Sequence, residues 1–209
     1  MDKLRPMRSL MFVPGHRARM VERALGLGEF GPSGLDVAIL DLEDGVPAVS
    51  KDEARRLIAD VLARSSDRRG GPLRYVRIRR AVTDEGAADL DAIVRPGLDG
   101  IMAPKVPRPD EVEWLSEELD RRERDAKIPH GTVRIIPSVE TAAALLEAPR
   151  IAKAAGRVVG LAFGSEDFAA DLGLPTKREG EAAELLYARS AIVVEIGRAS
   201  CRERVCYAV

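Results

Sequence analysis

Asp36-Val37-Ala38-Ile39-Leu40-Asp41-Leu42-Glu43-Asp44 is a nearly continuous apolar run that closes on a group of acids. Its hydrophobic residues do not alternate with polar ones, as expected of a parallel strand covered on both faces. The same reading applies to Ser9 to Pro14, Leu73 to Arg79, Gly100 to Pro104, Thr132 to Pro137 and Val158 to Phe163. Each run is followed by a helical pattern, and strand starts recur at roughly 25 to 40 residues, the size of a βα unit. About six units with no linker between composition regimes predict one α/β domain, either an open doubly wound sheet or a (β/α) barrel. Two features favour the barrel. The first strand runs into Pro14-Gly15-His16 and not into a phosphate loop, and charged residues follow at least five different strands. A barrel has eight units in about 250 residues, so this 209-residue chain stops about two units short.

Helix starts are marked between the strands. Ser50 stands at capping-box spacing before Glu53 and opens the run Ala54, Leu57, Ile58, Val61 and Leu62. Pro109 suits the entry of a helix carrying Val112, Trp114, Leu115 and Leu119, with Trp114 read as core or interface. Thr141 can cap the next helix, and Gly156 suits its far end. The last periodic stretch, Glu181 to Val194, presents Ala182, Leu185, Leu186 and Ala188.

Composition narrows the function classes. Lys plus Arg number 33 against 34 Asp plus Glu, for a formal net charge of −1. No global positive field recruits nucleic acid or an acidic membrane surface. The apolar stretch Leu10 to Val13 is too short for a signal segment or a membrane span, which makes the cytoplasm the expected location. Cys201 and Cys206 have no metal-ligand partners at suitable spacing, and His16 and His130 are isolated.

The residues that carry chemistry stand at strand ends: Asp41, Glu43 and Asp44, then Arg77 and Arg79, Lys105, Glu140, and Glu166 with Asp167. On parallel strands they converge on one rim. Glu140 and Asp167 follow successive strands, where two carboxylates repel unless a cation neutralises them. Hard oxygen ligands without His or Cys point to Mg²⁺; the alternative is that each carboxylate caps the next helix. Arg77 and Arg79 are alternate strand residues on one side, and a guanidinium fork suits a substrate carboxylate or an acid of the preceding strand. Lys105 reads as a Schiff-base nucleophile if desolvated, and otherwise as the partner of a rim carboxylate. Asp41, Glu43 and Asp44 fit a second shell around a metal, an orienting network for Arg77, or a solvated strand end.

Five ordered motifs share a resemblance: Arg8-Ser9-Leu10-Met11-Phe12-Val13-Pro14-Gly15, Leu40-Asp41-Leu42-Glu43-Asp44-Gly45-Val46, Ala103-Pro104-Lys105-Val106, Pro137-Ser138-Val139-Glu140-Thr141-Ala142 and Phe163-Gly164-Ser165-Glu166-Asp167-Phe168-Ala169-Ala170-Asp171-Leu172-Gly173. Together with Leu186-Tyr187-Ala188-Arg189-Ser190, they resemble the citrate lyase β-subunit-like branch of the HpcH/HpaI aldolase family from about Arg8 to Val194. The resemblance implies a TIM (β/α)8 barrel, here truncated, that binds Mg²⁺ and a CoA thioester and makes or breaks a carbon–carbon bond. It implies Glu140 and Asp167 as metal ligands, Glu140 also beside the substrate, and Arg77 as the substrate-binding and catalytic arginine. It further implies a homo-oligomer, trimer or hexamer, in which a C-terminal acid reaches a neighbouring subunit's site. The alternatives within this reading are a CoA-independent aldolase acting on pyruvate-derived hydroxy-keto acids, or an inactive truncated fragment. Arg79 stands where the family often has Asn. The segment beginning at Glu195 resembles the translation of a short-read sequencing adapter, so residues 1–194 read as a partial lyase domain and 195–209 as a non-native tail.

Overall fold

The structure is a computed structural model and describes residues 5, 7–66, 70–175, 182–199 and 205–208. The chain divides into two compact units, Met1–Met102 with Glu118–Arg134, and Ala103–Glu117 with Ile135–Val209.

In the first unit, strands β1 (Leu10–Pro14), β2 (Val37–Asp41), β3 (Leu73–Arg77) and β4 (Gly100–Ala103, its last residue in the second unit) lie side by side in chain order, all parallel. Helices α1 (Ala18–Leu25), α2 (Lys51–Arg64) and α3 (Asp84–Ile93) connect them. Every residue of β2 is buried, as its unbroken hydrophobic run requires. β1 departs from that reading. Met11 is exposed and Phe12 half-buried, because among the described residues β1 pairs along one side only, with β2. The Asp36 carboxylate anchors the start of both strands by accepting the Arg8 and Ser9 N–H groups and the Arg8 guanidinium. Gly100 allows β3 and β4 to approach, since a Cβ there would meet the Tyr75 ring at 2.3 Å.

The second unit holds β5 (Arg134–Val139, its first residue in the other unit), β6 (Gly160–Phe163) and β7 (Val205–Ala208), again parallel and in chain order. With them are helices α5 (Ala142–Ile151), α6 (Ser165–Asp171) and α7 (Leu186–Ala199). Helix α4 (Pro109–Asp125), whose residues from Glu118 on belong to the first unit, begins at Pro109 as expected and buries Val112, Leu115 and Leu119, while Trp114 stays partly exposed. Leu185, Ala188 and Ile192 are buried along the last helical stretch, and Leu186 turns outward. Phe163 and Phe168 meet edge to face at 5.0 Å where β6 passes into α6.

Three local expectations change. Ser50 sits at the head of α2, but its side chain makes no cap hydrogen bond. The 3-10 turn Ala48–Ser50 runs straight into the helix and holds Ser50 away from the extended backbone that a capping serine needs. α5 ends at Ile151, two residues after the internal Pro149, so Gly156 belongs to the turn before β6. Among the described residues a further strand follows the six expected: α7 runs through Glu195 to Ala199, and β7 lies within the segment expected to be non-native.

Candidate functional site

The parallel register sets Arg77, the last residue of β3, directly beside Asp41, the last residue of β2. The guanidinium donates from Nε to Asp41 Oδ1 at 2.7 Å and from Nη2 to Oδ2 at 2.6 Å, and Nη1 lies 3.1 Å from Glu43 Oε2. Each Asp41 oxygen also accepts one backbone N–H at 2.8 Å, Oδ1 from Glu43 and Oδ2 from Gly45. Gly45 is required by that closeness, because a Cβ there would stand 2.3 Å from Oδ2. The Phe12 ring lies 4.9 Å from the guanidinium carbon and supports its face. Burial works against the Arg77 charge, but Asp41, Glu43 and Asp44 outweigh it and raise the pKa. The three contacts leave a second N–H on each terminal nitrogen, and the side chain is 20% exposed. Arg77 is therefore rigid, charged and still able to grip a carboxylate.

Of the three readings for the acidic strand end, the orienting network describes Asp41 and Glu43. Asp44 is exposed and reaches Arg77 through its charge. Arg79 does not share Arg77's surroundings. β3 stops at Arg77, and Arg79 turns to the fully buried Asp89 of α3, which takes its Nε at 3.0 Å, its Nη2 at 2.8 Å and its backbone N–H at 3.0 Å. That pairing makes Arg79 a brace between strand end and helix.

Lys51, the first residue of α2, was not singled out from the sequence. Its Nζ donates to the Leu42 carbonyl at 2.7 Å and to the Glu43 carbonyl. Burial holds its pKa below the usual lysine range, against the pull of Asp41. The available signal was a cation in a helix's first turn, where the dipole disfavours it.

In the second unit, Val139 pairs with Phe163, so the next residues, Glu140 and Gly164, stand together at the ends of β5 and β6. Glu140 is 6% exposed. Gly164 makes room for it, since a Cβ there would meet Glu140 Cγ at 2.5 Å and Oε1 at 3.2 Å. Glu140 is not the cap of the following helix. Thr141 accepts the Ala144 N–H at 3.1 Å, and Asp171 accepts that of Ala142 at 2.8 Å. Asp167 lies in the first turn of α6, three residues beyond Gly164, half-exposed, with Lys105 Nζ 3.6 Å from its Oδ2. Lys105 is thus the partner of a carboxylate and not a desolvated nucleophile. Its φ of 53° is a left-handed conformation unusual for a side-chain-bearing residue.

These carboxylates could hold a hard divalent cation. One is buried and cradled by a glycine, and the other is accessible and paired only loosely. Among the described residues no group of three His, Cys, Asp or Glu forms a closed cage. A donor set of that kind fits Mg²⁺, which keeps several waters and accepts substrate oxygens. His130 pairs with Asp120 on the surface at 2.9 Å, and His16 Nδ1 is buried without a hydrogen-bond partner among the described residues. Cys201 lies outside the described residues, as does the Cys206 side chain. No described helix is long and apolar enough to cross a membrane.

The family model for HpcH/HpaI aldolase/citrate lyase matches residues 8–201. Citrate lyase subunit beta of Leuconostoc mesenteroides is 34% identical over 92% of the chain, and mitochondrial citramalyl-CoA lyase of Homo sapiens is 32% identical over 90%. The chain spans 61% and 55% of the lengths of those two proteins. Among solved structures, CitE of Mycobacterium tuberculosis in complex with magnesium, acetoacetate and coenzyme A superposes with a TM-score of 0.70 at 28% identity. That match covers 97% of this chain and 67% of the other. The fold is that of the TIM-barrel-type aldolases, of which the chain carries part.

Proposed function

This chain belongs to the HpcH/HpaI aldolase/citrate lyase family, and from that premise we propose that it acts in a Mg²⁺-dependent carbon–carbon lyase cleaving or forming the CoA thioester of a short hydroxy-dicarboxylic acid. The observation that carries the proposal is Glu140, buried at the end of β5 and fitted by Gly164, with Asp167 in the turn that follows. Glu140 and Asp167 would hold the metal. When bound, Mg²⁺ supplies positive charge where negative charge develops on the enolate oxygen as the bond breaks or forms. Glu140 brings its carboxylate there already desolvated, which strengthens its hold on a cation. Asp167 would give up Lys105 for a cation at small cost, because that pair is open to water. Arg77, locked by Asp41 and Glu43, offers its remaining N–H groups to the carboxylate of the acyl group and holds the substrate in register.

Both curated relatives support the choice of a lyase, and citramalyl-CoA lyase favours a CoA ester over a free hydroxy-keto acid. Metal titration of Glu140→Ala and Asp167→Ala in the full-length protein tests the site. Mn²⁺ or Mg²⁺ binding should be lost or severely weakened in each, and unchanged affinity in both would sink the assignment. Comparing cleavage of citryl-, malyl- and citramalyl-CoA with that of free hydroxy-keto acids separates the lyase from a CoA-independent aldolase.

A further inference from the structure

We propose that Lys51 is a positioning residue for the substrate arginine: its ammonium offsets the excess of carboxylate around Arg77 and pins the backbone that carries Glu43. This rests on the reading of Arg77 as the group that binds the substrate carboxylate.

The argument starts from charge. Arg77 is one cation set against two carboxylates, Asp41 and Glu43, both nearly buried, with Asp44 adding negative charge from the surface. An anionic substrate approaching that group alone would meet net negative charge, and the arginine's free N–H groups would be a poor lure. Arg79 does not correct the balance, because Asp89 takes its charge, and Arg55, 3.9 Å from the same carboxylate, is paired with Asp52. Lys51 adds a cation on the backbone that carries Glu43. The negative charges of Asp41, Glu43 and Asp89 and the positive charge of Arg79 all act on it.

The second part is mechanical. The Leu42 and Glu43 carbonyls accept the Lys51 ammonium, while the Glu43 carbonyl also accepts the Val46 N–H at 3.1 Å. On its other side the Glu43 N–H is held by Asp41, and its side chain by Arg77. Lys51 closes this ring from beneath. Without it, the Glu43 loop is free to fold its carboxylate further over the guanidinium, onto the N–H groups a substrate needs.

The test is calorimetric binding of oxaloacetate, as a carboxylate probe, to the full-length protein with Mg²⁺ present. Lys51→Met should weaken binding about tenfold, the scale of one unit charge removed at short range in a partly screened site. Lys51→Arg should recover most of the loss. Lys51→Gln keeps an amide donor without the charge, serves if the Met variant does not fold, and should weaken binding nearly as much. Adding Glu43→Gln to either neutral variant should restore binding, since it removes the carboxylate that Lys51 offsets. A merely structural lysine would give no such recovery. Binding within about twofold of wild type in the neutral variants, or no recovery in the double variants, overturns the inference. Arg77→Gln tells the two failures apart. If it leaves binding unchanged, the reading of Arg77 falls and Lys51 falls with it; if it abolishes binding while the Lys51 variants do not, only the inference is lost.

Discussion

The strand ends of the two units carry charge in opposite styles. In the first, Asp41 is 2% exposed and every oxygen is spoken for, by two backbone N–H groups and a forked guanidinium. In the second, Lys105 and Asp167 are nearly half exposed and meet at 3.6 Å, a contact that water screens. The first arrangement holds a group still, and the second keeps a ligand position ready to change partners. On the proposed assignment, substrate orientation gains from the former, while a metal that would share its coordination between protein, water and substrate gains from the latter.

The largest expected effect falls on the rigid side. Asp41→Ala leaves the Arg77 charge without its forked partner and frees the Glu43 and Gly45 N–H groups, so urea denaturation should show a loss of about 3–5 kcal/mol. Asp167→Ala should cost less than about 1 kcal/mol in the same measurement. Similar losses for both would erase the distinction between the two styles.

Gly164→Ala probes the buried carboxylate of the second unit's strand ends. The new Cβ would stand 2.5 Å from Glu140 Cγ, so the carboxylate has to move. Stability should fall by about 1–3 kcal/mol, and Mn²⁺ affinity by about tenfold or more, since displacement of a group that orients a ligand typically weakens metal binding to that extent. Wild-type metal affinity in this variant would mean that Glu140's placement by Gly164 does not matter to the cation.

The same contrast explains what could be seen in the sequence. β2 was legible because burial on both faces demands an unbroken apolar run, and the charges at strand ends were legible because a parallel sheet places them there. Thr141 and Pro109 announced their helices because capping and proline geometry are local properties. Partners were less legible. Arg79 pairs with Asp89 across a loop and a helix, and no local rule says that β3 stops at Arg77. Lys51 escaped notice because it binds backbone carbonyls, which every residue has and no sequence motif marks. Ser50 misled because the turn before it is a tertiary outcome. For residues 195–209, our proposal of a non-native origin is decided by the genomic reading frame around Glu195: an adapter match supports it, and an uninterrupted native coding sequence overturns it.

The smallest expected effect is also the one whose sign is most informative. Lys105→Met removes the ammonium 3.6 Å from Asp167 Oδ2. If that ion pair served stability, the variant should be weaker, yet a pair this exposed contributes less than about 1 kcal/mol. If instead Lys105 competes with a metal for the same carboxylate, its removal should tighten Mn²⁺ binding a few-fold while leaving the urea midpoint nearly unchanged. A drop in metal affinity would point the other way, to a lysine that holds Asp167 in the orientation the metal requires. The open strand end would then be organised like the closed one, only through a longer and wetter contact.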